Sequence, residues 1–263
     1  MKIQEKPSIA ILIVNYKTRG YIINLLQSYL LHEVYHGNVT FYIGDNASGE
    51  DLAEIKILFP TLKIQTYQIL ENRGFGAGNN FLSQYTTEEF LFLINPDILW
   101  KESILEKLIQ NLIENHAQVI GPKLMTKEGQ IQKWDHGELS GKTAGLLRSL
   151  GSSYWKEQED IIQVAWVSGA ALMIRNNIFK LIGGFDESFF LYREEEDLCL
   201  RIRKKGWKIY YDPSISLTHI GSVVSKASIH SIESQNIYLK KHYPFLHKIG
   251  ISGILLKFYY RFF

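Results

Sequence analysis

Four consecutive carboxylates, Glu194-Glu195-Glu196-Asp197, follow the aromatic run Phe189-Phe190-Leu191-Tyr192 and lead toward Arg201. Crowding like charges beside apolar side chains costs free energy, so such a cluster needs a specific reason. One reason is structural: acids in the first turn of a helix are stabilised by its macrodipole. The other is chemical: a carboxylate turned into a cleft can take a proton as a general base. Helix geometry separates the four. At about 100° per residue, Leu198, Cys199 and Ile202 define the apolar face of a helix over 198–205. Extended back by one turn, that face includes Glu195. Asp197 pairs with Arg201 at i,i+4. Glu196 falls with Arg203 on a solvated face, and Glu194 is left without a role.

Other polar residues fall where apolar runs end. Asp45, in Asp45-Asn46-Ala47-Ser48-Gly49, can accept from a base ring N–H or a ribose hydroxyl, or can cap the following turn. The stretch Asn72-Arg73-Gly74-Phe75-Gly76-Ala77-Gly78-Asn79-Asn80 reads as a loop whose N–H groups can cradle a phosphate, or as a tight turn. Its glycine spacing is not the dinucleotide fingerprint, and the phosphate-loop lysine motif is absent, which argues against a dinucleotide oxidoreductase. Asp97, in Asn95-Pro96-Asp97, is either a turn residue or a hard oxygen ligand for Mg2+ or Mn2+ beside a phosphate. His219 is either structural or a nitrogen ligand to the same ion. A strand broken at Ser168-Gly169 marks a place where backbone can approach a ligand closely.

An alternation of strand and helix patterns must position these residues. Strands are expected at 9–14, 39–43, 64–70 and 90–94, with helices around Leu25–Leu30, Leu52–Leu58 and Ile104–Leu112 between and after them. That order argues an α/β fold, a Rossmann-like, mostly parallel central sheet flanked by helices. Ligands of open α/β sheets bind at the carboxyl ends of the strands, so Asp45, Asn46, Asn72, Gly74 and Asp97 should share one cleft. The second half is less regular. Residues 126–160 read as a polar, variable excursion, 164–174 as the interrupted strand, 208–211 and 215–218 as short strands, and 229–241 as a helix.

The chain has 263 residues, 46% of them apolar and 21% charged, as in an ordinary globular protein. Its net charge of +2 is spread along the chain and gives no case for nucleic acid. The single cysteine, Cys199, rules out an internal disulfide and reads as a small buried apolar residue in a reducing compartment. No secretory signal is visible, and no apolar stretch is long enough to span a bilayer. Residues 249–263 are mostly apolar and aromatic, with Lys257 and Arg261 interspersed. They read as a packed helix or an interfacial membrane anchor, with the balance toward membrane contact.

The ordered set of segments resembles the family 2 glycosyltransferases. It comprises Ile13-Val14-Asn15-Tyr16, Asp45-Asn46-Ala47-Ser48, the 72–80 stretch, Asn95-Pro96-Asp97, Ser168-Gly169-Ala170, Gly183-Gly184-Phe185-Asp186-Glu187, Tyr192 to Arg201, and His219. It looks most like the bacterial rhamnosyltransferase-like branch. The resemblance implies a GT-A fold with a nucleotide-binding half over 1–125, a smaller acceptor-side half over 126–245, and an apolar tail over 246–263. It implies inverting transfer from a nucleotide-diphosphate sugar, dTDP-rhamnose or a UDP-sugar, to a glycan or lipid-linked acceptor. The setting it implies is cytoplasmic, at the inner face of the membrane. Asn15, Tyr16, Asp45, Asn46, Asn72, Gly74 and Asn79 would line the nucleotide site. Asp97 and His219 would hold Mg2+ or Mn2+, with Asn95 standing where the family often has a first acid. The family's base lies six residues before the arginine, which selects Glu195, with Asp197 as its nearest rival. Glu194, Arg201, Ser168 and Gly169 are secondary site residues, and Trp134, Trp155, Trp166 and Arg148 are acceptor-side candidates. The alternative, an inactive nucleotide-binding scaffold, would need loss of the acid at 195 or 97, and both are present.

Overall fold

The computed structural model describes residues 6–138, 155–221, 227–244 and 247. Their elements follow the expected alternation. Strands β1 (Ile9–Asn15), β2 (Val39–Asn46), β3 (Lys63–Ile69) and β4 (Phe90–Ile94) are separated by helices α1 (Arg19–His32), α2 (Ala53–Leu58) and α3 (Phe75–Ser83). There follow β5 (Ile98–Leu99), α4 (Leu105–Glu114), β6 (Val119–Met125), β7 (His136–Glu138), β8 (Ile162–Val167) and β9 (Ala171–Arg175). Helices α5 (Asn176–Leu181) and α6 (Glu194–Lys204), strand β10 (Ile209–His219) and helix α7 (Ala227–His242) complete the described chain. The strands form a ten-stranded sheet ordered β3-β2-β1-β4-β9-β6-β10-β8-β7, with β5 paired to β10. Strands β9, β8 and β5 run against the others, so the sheet is mostly parallel.

The central strands β1 and β4 are buried along their whole length, as expected when helices cover both faces. Side chains alternate between the faces. Ile9, Ile11 and Ile13 pack with Phe41, Phe90, Phe92 and the inner sides of α1 and α4. Ala10, Leu12 and Val14 pack on the opposite face with Leu82 of α3 and Leu198, Cys199 and Ile202 of α6. Cys199 is thus a buried apolar residue, as its surroundings in the sequence implied.

Three expectations change. The glycine-bearing stretch is not all loop: residues 75–83 form α3. Glycine disfavours helix locally, but close packing favours it here, since a Cβ at Gly78 would lie 2.8 Å from Val14 Cγ1. The 208–211 and 215–218 strands are one strand, β10, with a register shift between Asp212 and Ser216. Pro213 lies in that gap and has no N–H to give the ladder. Residues 126–138 are not an excursion: the chain turns back along β6 and joins the sheet as β7. Residues 139–154, including Arg148, and the tail beyond 247 lie outside the described residues. Among the described residues no helix is long and apolar enough to cross a membrane.

Candidate functional site

The register of the parallel strands sets Asn15 opposite Asp45 at the carboxyl end of the sheet. Both side chains are fully buried. Asn15 Nδ2 donates to Asp45 Oδ1 at 2.8 Å and to Glu50 Oε2 at 3.0 Å, while Asn15 Oδ1 accepts from the Thr18 hydroxyl at 2.8 Å. Asp45 Oδ2 accepts from the Ser48 and Gly49 N–H groups at 3.1 and 3.2 Å, and Oδ1 also accepts from the Ser48 hydroxyl. All four acceptor positions of the carboxylate are therefore used within the chain. Of the two readings of Asp45, the turn-capping one is what the geometry displays. Tyr16, the next residue, is half-buried at the rim with the Lys17 ammonium 5.7 Å from its ring.

Asn46 points to the other face and links the next loop. Its Nδ2 donates to Asn72 Oδ1 at 2.9 Å and to the Gly74 carbonyl at 3.3 Å. Its Oδ1 is buried with no partner. Asn46 also lines a cavity of about 120 Å3, with Glu71, Arg73, Phe81, Gln84 and Glu187 on its walls. Asn79, one turn into α3, donates to the Phe75 carbonyl at 3.0 Å and likewise keeps an unpartnered, buried Oδ1. Gly74 has φ 97° and ψ −179°, and Phe75 N–H donates to the Phe190 carbonyl at 3.1 Å. The 72–75 loop is thereby fastened to the segment that precedes the acidic cluster.

Asp97 and His219 meet because β5 and β10 pair antiparallel, with Ile98 opposite His219. Asp97 Oδ1 lies 3.3 Å from His219 Nε2, and Asp97 Oδ2 accepts from the Gly221 N–H at 2.9 Å. Burial works to raise the Asp97 carboxyl, but the hydrogen bond and charge of His219, with the Gly221 N–H, hold it below the usual range. Asn95 Nδ2 stands 3.3 Å from the same His219 nitrogen. Among the described residues no group of three or more His, Cys, Asp or Glu side chains is arranged to hold a metal ion. Two ligands fit a Mg2+- or Mn2+-type ion that takes most of its shell from phosphate and water. Neighbouring ligands in an octahedral shell with bonds of about 2.1 Å stand about 3 Å apart, close to the Asp97–His219 separation.

The four carboxylates divide by environment. Helix α6 does begin at Glu194, preceded by Tyr192 and Arg193 in left-handed conformation at φ 71° and 70°. Glu196 is buried rather than solvated, because the backbone turn brings Arg193 Nη1 to 2.5 Å from its Oε1. Asp197 pairs with Arg201 at 2.7 Å as expected, and also with Lys241 at 2.6 Å and His242 at 2.7 Å from α7. Burial opposes its charge, but His242, Lys241 and Arg201 together bring its pKa down to about 2. Arg201 donates further to the Ile182 and Gly184 carbonyls, so it braces the Gly183-Gly184 turn. Only Glu194 and Glu195 keep a buried oxygen with no partner. Burial, reinforced by the charge on Glu195, pushes Glu194 well above the ordinary range. Burial, with Glu196 adding, pushes Glu195 up to about 7.

Asp197→Ala should lower stability by about 1–3 kcal/mol, since it removes the buried carboxylate that Arg201, Lys241 and His242 share. The folded pKa lies below the unfolded one, so the Asp197 contribution is complete above about pH 4 and is lost as pH falls toward about 2. Urea unfolding at pH 7 should show the loss, and the gap between the two proteins should narrow through that acid window. Equal midpoints at pH 7 would contradict this account.

Glu195 reaches the rest of the site through the Ser168-Gly169 turn. A Cβ at Gly169 would lie 3.6 Å from Glu195 Cβ and 3.3 Å from the Phe75 ring. The neighbouring Ala170 carbonyl accepts from Asn95 N–H at 2.9 Å, two residues from Asp97. Glu194 lies toward Gly76 of α3 instead. Two features were not foreseen. Asp135 is buried and accepts from Tyr211 at 2.8 Å and Trp155 at 2.9 Å, while His136 contacts it at 2.7 Å and stacks on Tyr211. Gln132 contacts His219 Nδ1 at 2.7 Å. The adjacent titratable pair beside Trp134 was a usable sign of the first, whereas nothing in the sequence marks Gln132. Trp166 is buried in the core, with Nε1 unpartnered.

The mixed sheet carries its polar residues at the strand ends, and comparison with known proteins shows a GT-A fold. Residues 7–228 match the domain described as glycosyltransferase like family 2, and the chain belongs to that family. It is similar to an N-acetylglucosaminyl-diphospho-decaprenol L-rhamnosyltransferase of Mycobacterium tuberculosis, 28% identical over 144 residues, which are 50% of this chain and 47% of the relative. The chain thus matches about half the length of that relative. A low-salt glycan biosynthesis hexosyltransferase of Haloferax volcanii is 28% identical, with 76% of this chain and 63% of the relative covered. The rhamnosyltransferase WbbL of Escherichia coli is 26% identical, with 64% and 70% covered. Among solved structures, GalNAc-T7 with UDP, GalNAc and Mn2+ superposes with a TM-score of 0.67 at 12% identity, over 89% of this chain and 48% of that one. The mannosyltransferase PcManGT of Pyrobaculum calidifontis, in complex with GDP-Man and Mn2+, gives 0.62 at 14% identity, over 90% and 64%.

Proposed function

We propose that the chain is an inverting glycosyltransferase of cell-surface polysaccharide synthesis. It moves a sugar, from dTDP-rhamnose or a UDP-sugar, to a hydroxyl of a glycan or lipid-linked glycan. The observation that carries this reading is the Glu195 carboxylate, with a buried and unpartnered oxygen beside the Ser168-Gly169 turn. Glu195 takes the proton of the acceptor hydroxyl as that oxygen attacks the anomeric carbon. The bond from the anomeric carbon to the diphosphate oxygen breaks in the same displacement, and the nucleoside diphosphate leaves. Because Arg201, Lys241 and His242 hold Asp197 ionised, it is a poor base, and its role is to anchor α6. Asp45 serves the nucleotide by shaping the 45–49 loop, while Asn15, Tyr16, Asn46, Asn72, Gly74 and Asn79 form the surrounding wall. Asp97 and His219 would hold a divalent cation, Mg2+ or Mn2+, which would supply positive charge against the leaving diphosphate. The mostly apolar composition of 249–263 supports a setting at the inner membrane face, near a lipid-linked acceptor.

Nucleoside diphosphate release, screened over dTDP-rhamnose and UDP-sugars with lipid-linked acceptors, tests the reaction. No release with any donor would sink it. Asp97→Ala should weaken donor binding about tenfold or more in Mn2+ and have little effect in chelator. Equal wild-type affinity in Mn2+ and in chelator would rule out the metal role.

A further inference from the structure

His219 can serve a cation only in one of its two neutral tautomers, and the structure contains a group that selects it. Nδ1 lies 2.7 Å from Gln132 Oε1, a carbonyl oxygen that can only accept. Nδ1 therefore carries a proton, and in the neutral ring the lone pair is left on Nε2. A second contact agrees: the Asn95 amide nitrogen, which can only donate, faces Nε2 at 3.3 Å. Nε2 in turn faces a carboxylate oxygen of Asp97 at 3.3 Å. When the ring is charged, a proton on Nε2 bridges the pair in the cation-free protein, and a divalent cation would replace that proton on the nitrogen that Gln132 leaves free.

The fold places Gln132 deliberately in this position. After β6 the chain reverses through residues 126–130, with Thr126 N–H donating to the Gln130 carbonyl at 2.7 Å. Gln132 N–H then donates back to the Leu124 carbonyl at 2.8 Å. Strand β6 lies beside β10, with Met125 opposite Thr218, so the returning chain delivers Gln132 next to His219.

We propose that Gln132 is a positioning residue that fixes His219 as the Nδ1–H tautomer and so presents its Nε2 lone pair to the divalent cation shared with Asp97. This rests on the metal reading given above. Such outer partners orient a metal-binding imidazole, and their loss typically weakens affinity by about 10–100-fold.

The test compares wild type with Gln132→Met, similar in length but without the acceptor, and with Gln132→Glu, which keeps it. Mn2+ affinity is measured calorimetrically with the nucleoside diphosphate present. The tautomer is read from long-range proton–nitrogen spectra of the metal-free proteins with the ring neutral, assigned against His219→Asn. Gln132→Met should bind Mn2+ about 10–100-fold more weakly and lose the pure Nδ1–H signature, with an unchanged melting temperature. Gln132→Glu should retain both properties, and it keeps the test decisive if the methionine variant folds poorly. Wild-type affinity and tautomer in Gln132→Met would overturn the inference alone. Absence of Mn2+ binding by the wild-type protein would overturn the metal reading and this inference with it.

Discussion

Glu195→Gln should lower kcat by about 10²–10⁴-fold while donor binding stays close to that of the wild type. The substitution keeps the shape of the side chain and removes its ability to take a proton. Donor affinity should survive because Asn15 is bonded to Asp45, and Asn46 to Asn72 and Gly74, without using Glu195. The wild-type enzyme should also show an acid limb. Glu195 works only when deprotonated, and its pKa is pushed up to about 7 by burial and the nearby Glu196. kcat should therefore rise with pH through about 7 and level off above it. Steady-state rates in a donor and acceptor pair identified by the screen would measure this, with donor affinity taken by calorimetry. Near-wild-type turnover in Glu195→Gln would remove Glu195 from the chemistry. A flat profile between about pH 5 and 8 would separate the rate from its ionisation.

Gly74→Ala should damage stability and donor binding together. At φ 97° and ψ −179° the backbone occupies a region open almost only to glycine, at a cost of about 1–3 kcal/mol for other residues. The added Cβ would also stand 2.0 Å from the Phe190 carbonyl oxygen, a backbone atom that already accepts from Phe75 N–H. Relief requires the 72–75 loop and the 189–193 segment to separate. The first lies beside Asn46, and the second sets the start of α6 and hence Glu195. A melting-temperature loss of about 5–10 °C and at least a tenfold loss of donor affinity are expected. Gly129→Ala is the control, since Gly129 has a similar φ of 81° but open space around it. It should lower the melting temperature less and leave donor affinity intact. If the two variants behave alike, the contact between the loops has no functional weight.

The sequence determined the architecture of the first half and the identity of its polar strand ends. Runs such as 9–14 and 90–94 are apolar throughout, which is the pattern of strands covered on both faces. The residues that follow them could be placed at one end of a sheet before any coordinates existed. Helix periodicity likewise separated Glu195 from Asp197, because spacing along an α-helix is local information. Only the tertiary structure decided the partners. Glu196 looked solvated because its helical phase points away from the core, yet a left-handed turn at Arg193 folds a guanidinium onto it. Spacing gives Asp197 one basic partner and the structure gives it three, two of them delivered by α7 more than forty positions later. Gln132 carries no local mark at all, and it matters because β6 lies beside β10 in the sheet. Patterns of three to seven residues report which face a side chain occupies. Which charged or polar group meets it depends on long-range strand pairing and helix docking, which no short pattern records.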